Sequence, residues 1–465
     1  MTTRRPGRRD PLEAAIEVAL LPGRFIAFRG SWDFVSILEE VAGQLDALVR
    51  TDARRAVGLY ETFLAGCYEK AEELDDSSGN FAMFVVSLYR GWIRARQAAS
   101  ADADETARLL LGRMETDPYG FAYTLERDAV KVMSKGSLAA FERQVKARFE
   151  ATDAVEEASD HASRRDPAYP RRRRGDILRA IYTRQRDVRA YVALCEQTQL
   201  SAQDCLVVAA MLKTRRQRDE ALAWVDRGLV LEKTHRHASM AGHDLVTLRR
   251  ELLTKLGRHR DALEDAWAAF REGPSTFSYG DLMRFVPIAE RAAWHAKAMD
   301  AAERADLGSL IELCLETREV EHLVRRLRTA TDPEIEELSH YRTEPAARRL
   351  AKSHPDVAAK VYRALGMRIL KAKKSKYYEA ALSHFENAKR CYERSDLHRE
   401  WAALVADVRR AHHRKVGFLA GFERLAAGQG PSDAPSFLDR ARHRWSARAE
   451  PTGSGNSGRV KRAPR

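Results

Sequence analysis

The chain has 465 residues, of which 44% are hydrophobic and 32% charged, so its length allows several domains or one extended array and its composition excludes disorder throughout. The net charge of +13 is concentrated, because residues 1–10 carry +3, residues 164–174 carry +5 and residues 446–465 carry +4. These segments hold 12 of the 13 net charges, so the rest of the chain is close to neutral. The basicity therefore belongs mainly to loops and tails.

The cysteine spacing argues against a zinc site or redox dithiol, and the apolar runs argue against a membrane-spanning protein. Five cysteines lie singly and far apart, without the close pairs of a zinc site or redox dithiol, which indicates buried thiols in a reducing compartment. They are Cys67, Cys195, Cys205, Cys314 and Cys391. No apolar run approaches the roughly 20 residues that span a bilayer, and "MTTRRPGRRDP" leads directly into an amphipathic helix. We expect a soluble, cytoplasmic protein that does not enter a membrane.

The first elements in chain order are amphipathic helices. Asp10 is a capping residue before Pro11, so a helix is predicted to begin near residue 11. Apolar residues then recur at steps of three and four in residues 34–48 and 81–92. The second run contains "FAMFVVSLY", which resembles a strand by propensity, but the helical spacing continues to Trp92. Residues 11–163 are therefore predicted to form an N-terminal helical domain without a sheet.

The next segment is predicted to be a boundary. Residues 164–174, "RRDPAYPRRRR", contain two prolines and no apolar periodicity, which favours an Arg/Pro-rich linker. The tail at residues 446–465 is rich in Gly, Ser, Pro and basic residues, and it is predicted to be disordered, as is the basic segment 1–10.

Residues 175–445 repeat one helical pattern. Small or aromatic residues recur at steps of four and three in "RQRDEALAWVDRGL", "GRHRDALEDAWAAFREGP" and "KYYEAALSHFENAK". Such faces let two antiparallel helices approach closely, as in the second helix of a tetratricopeptide-type pair. The predicted fold is all-α, a tetratricopeptide-like α-solenoid of antiparallel helix pairs. The residues expected to pack between paired helices are Ala221, Ala262, Ala266, Ala269, Ala381, Phe385 and Ala388.

The order of these segments also resembles a family. "SWDFVSILEEVAGQLDALV", "YEKAEELDDSSGNF", "SLAAFERQVKARFE", the arginine stretch before "GDILRAIY", and "ERSDLHREWAALVADVRRAHHRK" are similar to the tetratricopeptide-like helical region that follows SWIM-type zinc fingers in bacterial proteins. The resemblance spans roughly residues 11–420 and implies a helical fold without an assigned reaction. The Cys and His ligand pairs of the finger are not in this sequence.

Four groups of polar residues are candidate sites. The run Arg171, Arg172, Arg173 and Arg174 is a candidate phosphate contact, with a solvated hinge as the alternative. "DDSSG" at residues 75–79 is typical of a turn that caps the next helix rather than of a calcium loop. His235, His237 and His243 indicate a polar loop more than a metal site. Arg349 and His354 have a ribonuclease-like spacing, but Pro355 directly after the histidine ends the helix there.

The functional prediction follows from the architecture. No phosphate loop, nucleophile elbow or zinc-protease motif is present, so we expect no enzymatic activity, no cofactor and no metal. The first hypothesis is a scaffold or adaptor that binds a protein partner, a peptide or a helix, in the concave groove of the solenoid. The alternative is a nucleic-acid-associated protein whose basic loop and tails hold phosphates. A helical nuclease that uses Arg349 and His354 is a distant third hypothesis.

Overall fold

The computed structural model describes residues 10–21, 23, 25–156, 169–234, 240–372 and 374–429. In these residues the regular elements are 23 α-helices, three short 3₁₀ turns (Ala71–Glu73, Ile288–Glu290 and Ser375–Tyr377), and one isolated β-bridge between Ile26 and Leu74. The predicted all-α fold is confirmed. Of the segments predicted to be disordered, residues 1–10 and 446–465, only Asp10 is among the described residues.

The chain divides into two compact units, Met1–Leu256 and Gly257–Arg465, called here the N-terminal and C-terminal units. This division differs from the predicted boundary at residues 164–174. Residues 164–168 of that segment are not described, and residues 169–174 form the first turns of a helix that packs on its neighbours inside the N-terminal unit. Pro170 lies in the first turn of the described helix, where its missing N–H removes no helical hydrogen bond.

The described helices of the N-terminal unit run from α1 to α12. They are α1 (Pro11–Leu20), α2 (Phe28–Leu48), α3 (Ala53–Lys70), α4 (Asn80–Ala98), α5 (Ala103–Glu115), α6 (Leu125–Val132), α7 (Lys135–Glu156), α8 (Tyr169–Gln185), α9 (Val188–Gln197), α10 (Ala202–Thr214), α11 (Arg218–Thr234) and α12 (Met240–Lys255). Asp10 caps α1 as predicted, since its carboxylate accepts the amide of Leu12 at 2.9 Å. "FAMFVVSLY" lies within α4, so its helical prediction is confirmed.

The described helices of the C-terminal unit run from α13 to α23. They are α13 (His259–Glu272), α14 (Thr276–Phe285), α15 (Arg291–Ala302), α16 (Leu307–Thr317), α17 (Val320–Thr329), α18 (Asp332–Glu337), α19 (His340–Leu350), α20 (Pro355–Lys371), α21 (Tyr378–Arg394), α22 (His398–His412) and α23 (Val416–Ala426). In each unit successive helices pack on each other, such as α10 on α11 and α20 on α21. Because short connections reverse the chain, these pairs are antiparallel, as predicted.

A single type of turn closes the first helix of several pairs. After α8, α10, α16 and α21 the chain passes through one residue with positive φ, between 56° and 64°, and the next amide bonds back to a carbonyl five residues earlier. These positive-φ residues are Arg186, Arg216, Arg318 and Asp396. This is the Schellman arrangement, which satisfies the terminal carbonyls of a helix and reverses the chain. The turns occupy a position that usually favours glycine, yet none of these residues is glycine.

We expect Arg216→Gly to stabilise the protein by about 0.5–1 kcal/mol, because glycine adopts the left-handed conformation without the steric cost of a Cβ atom. Ala223→Gly is the matched control, since Ala223 is exposed inside α11 and the change should destabilise by about 1 kcal/mol. Urea denaturation of both variants measures the two changes. Destabilisation by Arg216→Gly would show that the arginine side chain stabilises the turn by more than the strain costs.

Small residues lie where paired helices meet. Six of the seven predicted packing residues are buried, namely Ala221, Ala262, Ala266, Ala381, Phe385 and Ala388. Ala269 is only half-buried, and its neighbour Phe270 takes the buried position. A close approach involves Gly366 of α20, where an added Cβ would lie 2.6–2.9 Å from the ring of Phe385 on α21. The absence of a side chain at Gly366 therefore lets the two helices pack together.

Several basic side chains of one helix donate hydrogen bonds to backbone carbonyls at the carboxyl end of another helix. The Lys360 Nζ atom donates to the carbonyls of Leu327 and Arg328, both at 3.0 Å, and of Ala330, at the end of α17. Equivalent bonds join Lys415 to Leu370, Lys389 to Leu425, Arg394 to Ala351 and Lys352, and Arg184 to Val130. A cation at this end satisfies carbonyls that lack a helical partner and interacts favourably with the helix dipole. Part of the basic composition thus serves the fold.

Candidate functional site

The structure places the predicted phosphate contact inside the N-terminal unit. Arg173 forms an ion pair with Glu126 of α6, with 2.7 Å between Nη2 and Oε2, and the two side chains are 10% and 5% exposed. Its Nη2 atom also donates to the carbonyl of Ala122 at 2.8 Å. The ring of Tyr123 lies 5.8 Å from this guanidinium. Arg173 is therefore a buried link between α8 and the segment that leads into α6.

The other arginines of the run have contacts of the same kind. Arg174 donates to Glu115 at 2.9 Å and to the carbonyl of Arg148 at 2.9 Å. The guanidinium of Arg171 lies 4.8 Å from the ring centroid of Phe149. Arg172 is the most exposed member of the four, and the other three are partly buried. Because three guanidinium groups hold the helices of this unit, little of the run's charge is left to contact phosphate.

Neither histidine-containing group was favoured as a site from the sequence, and only His243 of the first group lies within the described residues. His235 and His237 lie outside the described residues, and no group of three or more metal-ligating side chains occurs in the described part of the chain. Arg349 lies in the last turn of α19, whereas His354 is the residue before α20, which Pro355 begins. His354 contacts the hydroxyl of Ser353 at 3.1 Å. These positions assign no catalytic role to Arg349 and His354.

The acidic turn is a capping element. The carboxylate of Asp76 accepts the amides of Phe81 and Ala82, both at 2.9 Å, at the start of α4. Gly79 has a φ of 71°, which lets the chain reverse before the helix. Hydrogen bonds from the hydroxyl and the amide of Ser77 lower the pKa of Asp75 below its ordinary value. The turn thus fixes the start of α4, and the capping interpretation explains its acidic composition.

Three exposed aromatic residues lie near α1 and α2, and this surface was not predicted from the sequence. Phe25, Phe28 and Trp32 are 64%, 48% and 60% exposed, and we call these three residues the aromatic patch. They fall within eight residues of one another at the connection into α2. Exposed aromatic rings this close in sequence are unusual on a surface that only meets water.

The local backbone explains why these rings face solvent. Ile26 pairs with Leu74 in the isolated bridge, in which its amide donates to Glu73 at 2.8 Å and its carbonyl accepts from Asp75 at 2.9 Å. This bridge buries Ile26, so Phe25 next to it lies on the opposite side of the extended chain. Phe28 and Trp32 are four residues apart on α2 and share one face of that helix.

That face lies beside the buried stripe of α2. The stripe contains Phe34, Val35 and Leu38, which pack into the unit. Phe28 and Trp32 extend the apolar surface beyond the stripe. The sequence "FIAFRGSW" contains three aromatic residues, and only some of them fit the spacing of the buried face of α2. This mismatch could have indicated the patch from the sequence. The patch consists of three aromatic rings and has no titratable group of its own.

The described part of the chain has no helix that is both long and apolar enough to cross a membrane. All five cysteines lie in this part, and each is buried and outside any disulfide, as the sequence predicts. Burial raises the pKa of the Cys195 and Cys314 thiols to about 12, so neither is a thiolate near neutral pH. They act as small apolar residues of the core.

Comparisons with known proteins identify a family and solved structures of similar chains. No curated protein matches the chain. A chain from the "Structure of Naa15/Naa10 bound to HypK-THB" is 13% identical with a TM-score of 0.32, and the match covers 81% of this chain and 64% of that one. The present chain thus spans less than two thirds of that protein's length. A chain from a "Circular tandem repeat protein with novel repeat topology and enhanced subunit contact surfaces" is 12% identical with a TM-score of 0.17, and the match covers 90% of this chain and 95% of that one.

The family match covers most of the helices described above. It extends over residues 24–420, from the segment before α2 into α23. The chain therefore belongs to DUF6880, a family of unknown function.

Proposed function

We propose that the chain is a non-enzymatic helical-repeat scaffold or adaptor that binds a protein partner. The aromatic patch carries this proposal, because exposed rings of Trp and Phe are the side chains that contribute most to protein–protein affinity. Rings lose little conformational entropy on binding and bury a large apolar area. A peptide or helix with apolar side chains would remove this area from water.

The predicted concave groove remains part of the proposal. Stacked helix pairs present the side chains of one helix from each pair on a common surface, which suits an extended or helical partner. The aromatic patch is a separate contact, at the start of α2 and outside the predicted solenoid of residues 175–445. The resemblance to the region that follows SWIM-type zinc fingers stays a prediction and adds no metal ligand to the proposal.

Nucleic-acid binding is the weaker candidate. Its main contact was the arginine run, and Arg171, Arg173 and Arg174 have intramolecular contacts. Basic residues elsewhere also bond to helix ends, as Lys360 and Lys415 do. An interaction driven by phosphates must weaken steeply with salt, whereas an apolar contact depends little on it.

A double alanine variant tests the protein-binding proposal. We expect Phe28→Ala/Trp32→Ala to weaken capture of a partner from extracts of the source cell by about 2 kcal/mol or more, roughly thirtyfold in affinity, with the fold unchanged. Tyr341→Ala is the matched control, since Tyr341 is 80% exposed and lies outside the patch. Capture should survive nuclease treatment and high salt. Equal capture by the double variant, or capture that nuclease removes, would overturn the proposal.

A further inference from the structure

A cavity of about 270 Å³ lies in the N-terminal unit. Its walls come from α3, α4, α5 and the connection after α5. Residues with distinct chemistry line it: Glu61, Leu64, Tyr68, Tyr89, Arg113 and Pro118. Its volume is just below the range of drug-sized sites, so it suits a small ligand.

Arg113 is the cation of this cavity, and its hydrogen-bonding capacity is not used within the described residues. Its guanidinium lies 4.8 Å from the ring centroid of Trp92. The carboxylate of Glu61 is 3.9 Å from Nη2, which is too long for a hydrogen bond. Nη1 is buried and has no hydrogen-bond partner there. A buried guanidinium N–H without an acceptor is unfavourable, which points to an acceptor from outside the chain.

The carboxylates of the cavity restrict what that acceptor can be. Glu61 accepts the indole N–H of Trp92 at 3.0 Å through Oε1 and lies 3.9 Å from Arg96. Asp117 also lines the cavity, and its two oxygens accept the amides of Tyr119 and Ala122 at 3.3 and 2.6 Å. A plain anion would meet these two negative charges. A plain cation would leave Arg113 without an acceptor.

A ligand that carries one negative and one positive charge satisfies both Arg113 and Glu61. We propose that the cavity binds a small α-amino acid with an apolar side chain, its carboxylate on Arg113 and its ammonium on Glu61. The planar guanidinium matches a carboxylate with two parallel hydrogen bonds. Because Arg113 and Glu61 face each other at 3.9 Å, they are close enough to reach two charged groups on the same carbon atom.

The rest of the cavity fits the remaining part of such a ligand. Leu64 and Pro118 give it apolar walls against which a side chain packs. The hydroxyls of Tyr68 and Tyr89 are 3.0 Å apart and bond to each other. Burial raises the pKa of both tyrosines, so they stay neutral and add no charge near the ligand. This site is independent of the aromatic patch and of the proposed protein partner.

Calorimetric titration of the full chain with L-valine and L-leucine tests the proposal. We expect at least one of them to bind, and we expect isovalerate and isobutylamine, which each lack one charged group of valine, to bind at least about tenfold more weakly. Arg113→Gln should weaken amino-acid binding at least about tenfold. Arg108→Gln on the same helix is the control and should bind as the unmodified chain does, because Arg108 is exposed and outside the cavity.

Three results would overturn the proposal. They are no heat of binding with either amino acid at about 10 mM, isovalerate that binds as tightly as valine, and Arg113→Gln that keeps full affinity. Circular dichroism shows whether Arg113→Gln is folded. If it is not, Glu61→Gln replaces it, and valine should then bind no more tightly than isovalerate does. Valine affinity unchanged by Glu61→Gln would contradict the proposed ammonium contact.

Discussion

Replacing Arg173 with methionine should destabilise the N-terminal unit by about 3–5 kcal/mol. The substitution removes the 2.7 Å partner of buried Glu126 and leaves only the exposed Arg127, whose Nε atom is 4.0 Å away, so the carboxylate stays without hydration and with little compensation. The bond to the Ala122 carbonyl is lost as well. Urea denaturation measures the loss, and hydrogen exchange of the α6 and α8 amides should show where it acts.

Two variants separate this account from a general effect of lost charge. Arg172→Met removes the same charge from an exposed position and should change stability by no more than about 0.5 kcal/mol. Arg173→Met/Glu126→Leu removes both members of the pair and should recover much of the loss. Equal effects of Arg172→Met and Arg173→Met would show that the run acts only through its net charge.

The second large effect is expected at the contact between α20 and α21. Phe385→Ala should cost about 3–5 kcal/mol, because the ring is fully buried and contacts Gly366 and the rings of Phe418 and Phe422, whose centroids lie 6.0 and 5.2 Å away. Phe277→Ala is the control, since Phe277 is 68% exposed and its truncation should change stability little. Denaturation of the full chain measures both.

Gly366, which lies against the Phe385 ring, gives an independent check of the same contact. Gly366→Ala should cost about 1–3 kcal/mol in the unmodified chain, because its Cβ would overlap the Phe385 ring. In the Phe385→Ala background this cost should largely disappear. Gly280→Ala serves as the control, since no atom lies within 4 Å of the added Cβ in α14 and the change should stabilise by about 1 kcal/mol. Additive effects of Gly366→Ala and Phe385→Ala would contradict the close contact.

The helical face in "KYYEAALSHFENAK" could be predicted from the sequence because the spacing that defines it lies within a single helix. Ala381, Phe385 and Ala388 follow helical spacing, and all three are buried. The residue that faces them, Gly366, could not be identified, because no periodicity within one helix says which residue of another helix comes closest. The turns were missed for a related reason, since Arg216 and Arg318 occupy positions where sequence rules look for glycine.

The arginine run shows where charge counting fails. Composition alone cannot separate a guanidinium in water from one that meets a carboxylate 47 residues earlier, as Arg173 meets Glu126. Two prolines and four arginines favour a linker, yet Pro170 is compatible with the first turn of α8. The exposure of Phe25 was equally hidden, because it depends on the bridge that Ile26 makes with Leu74, a contact between distant segments.

The most direct test of the scaffold proposal is photo-crosslinking from position 32. A photoreactive phenylalanine analogue replaces Trp32 in the source cell, and adducts are identified by mass spectrometry after nuclease treatment. The proposal predicts a discrete protein adduct that resists nuclease and is absent when the analogue replaces Tyr341, which is more exposed than Trp32. No protein adduct from position 32, or the same adducts from both positions, would contradict recognition through the aromatic patch.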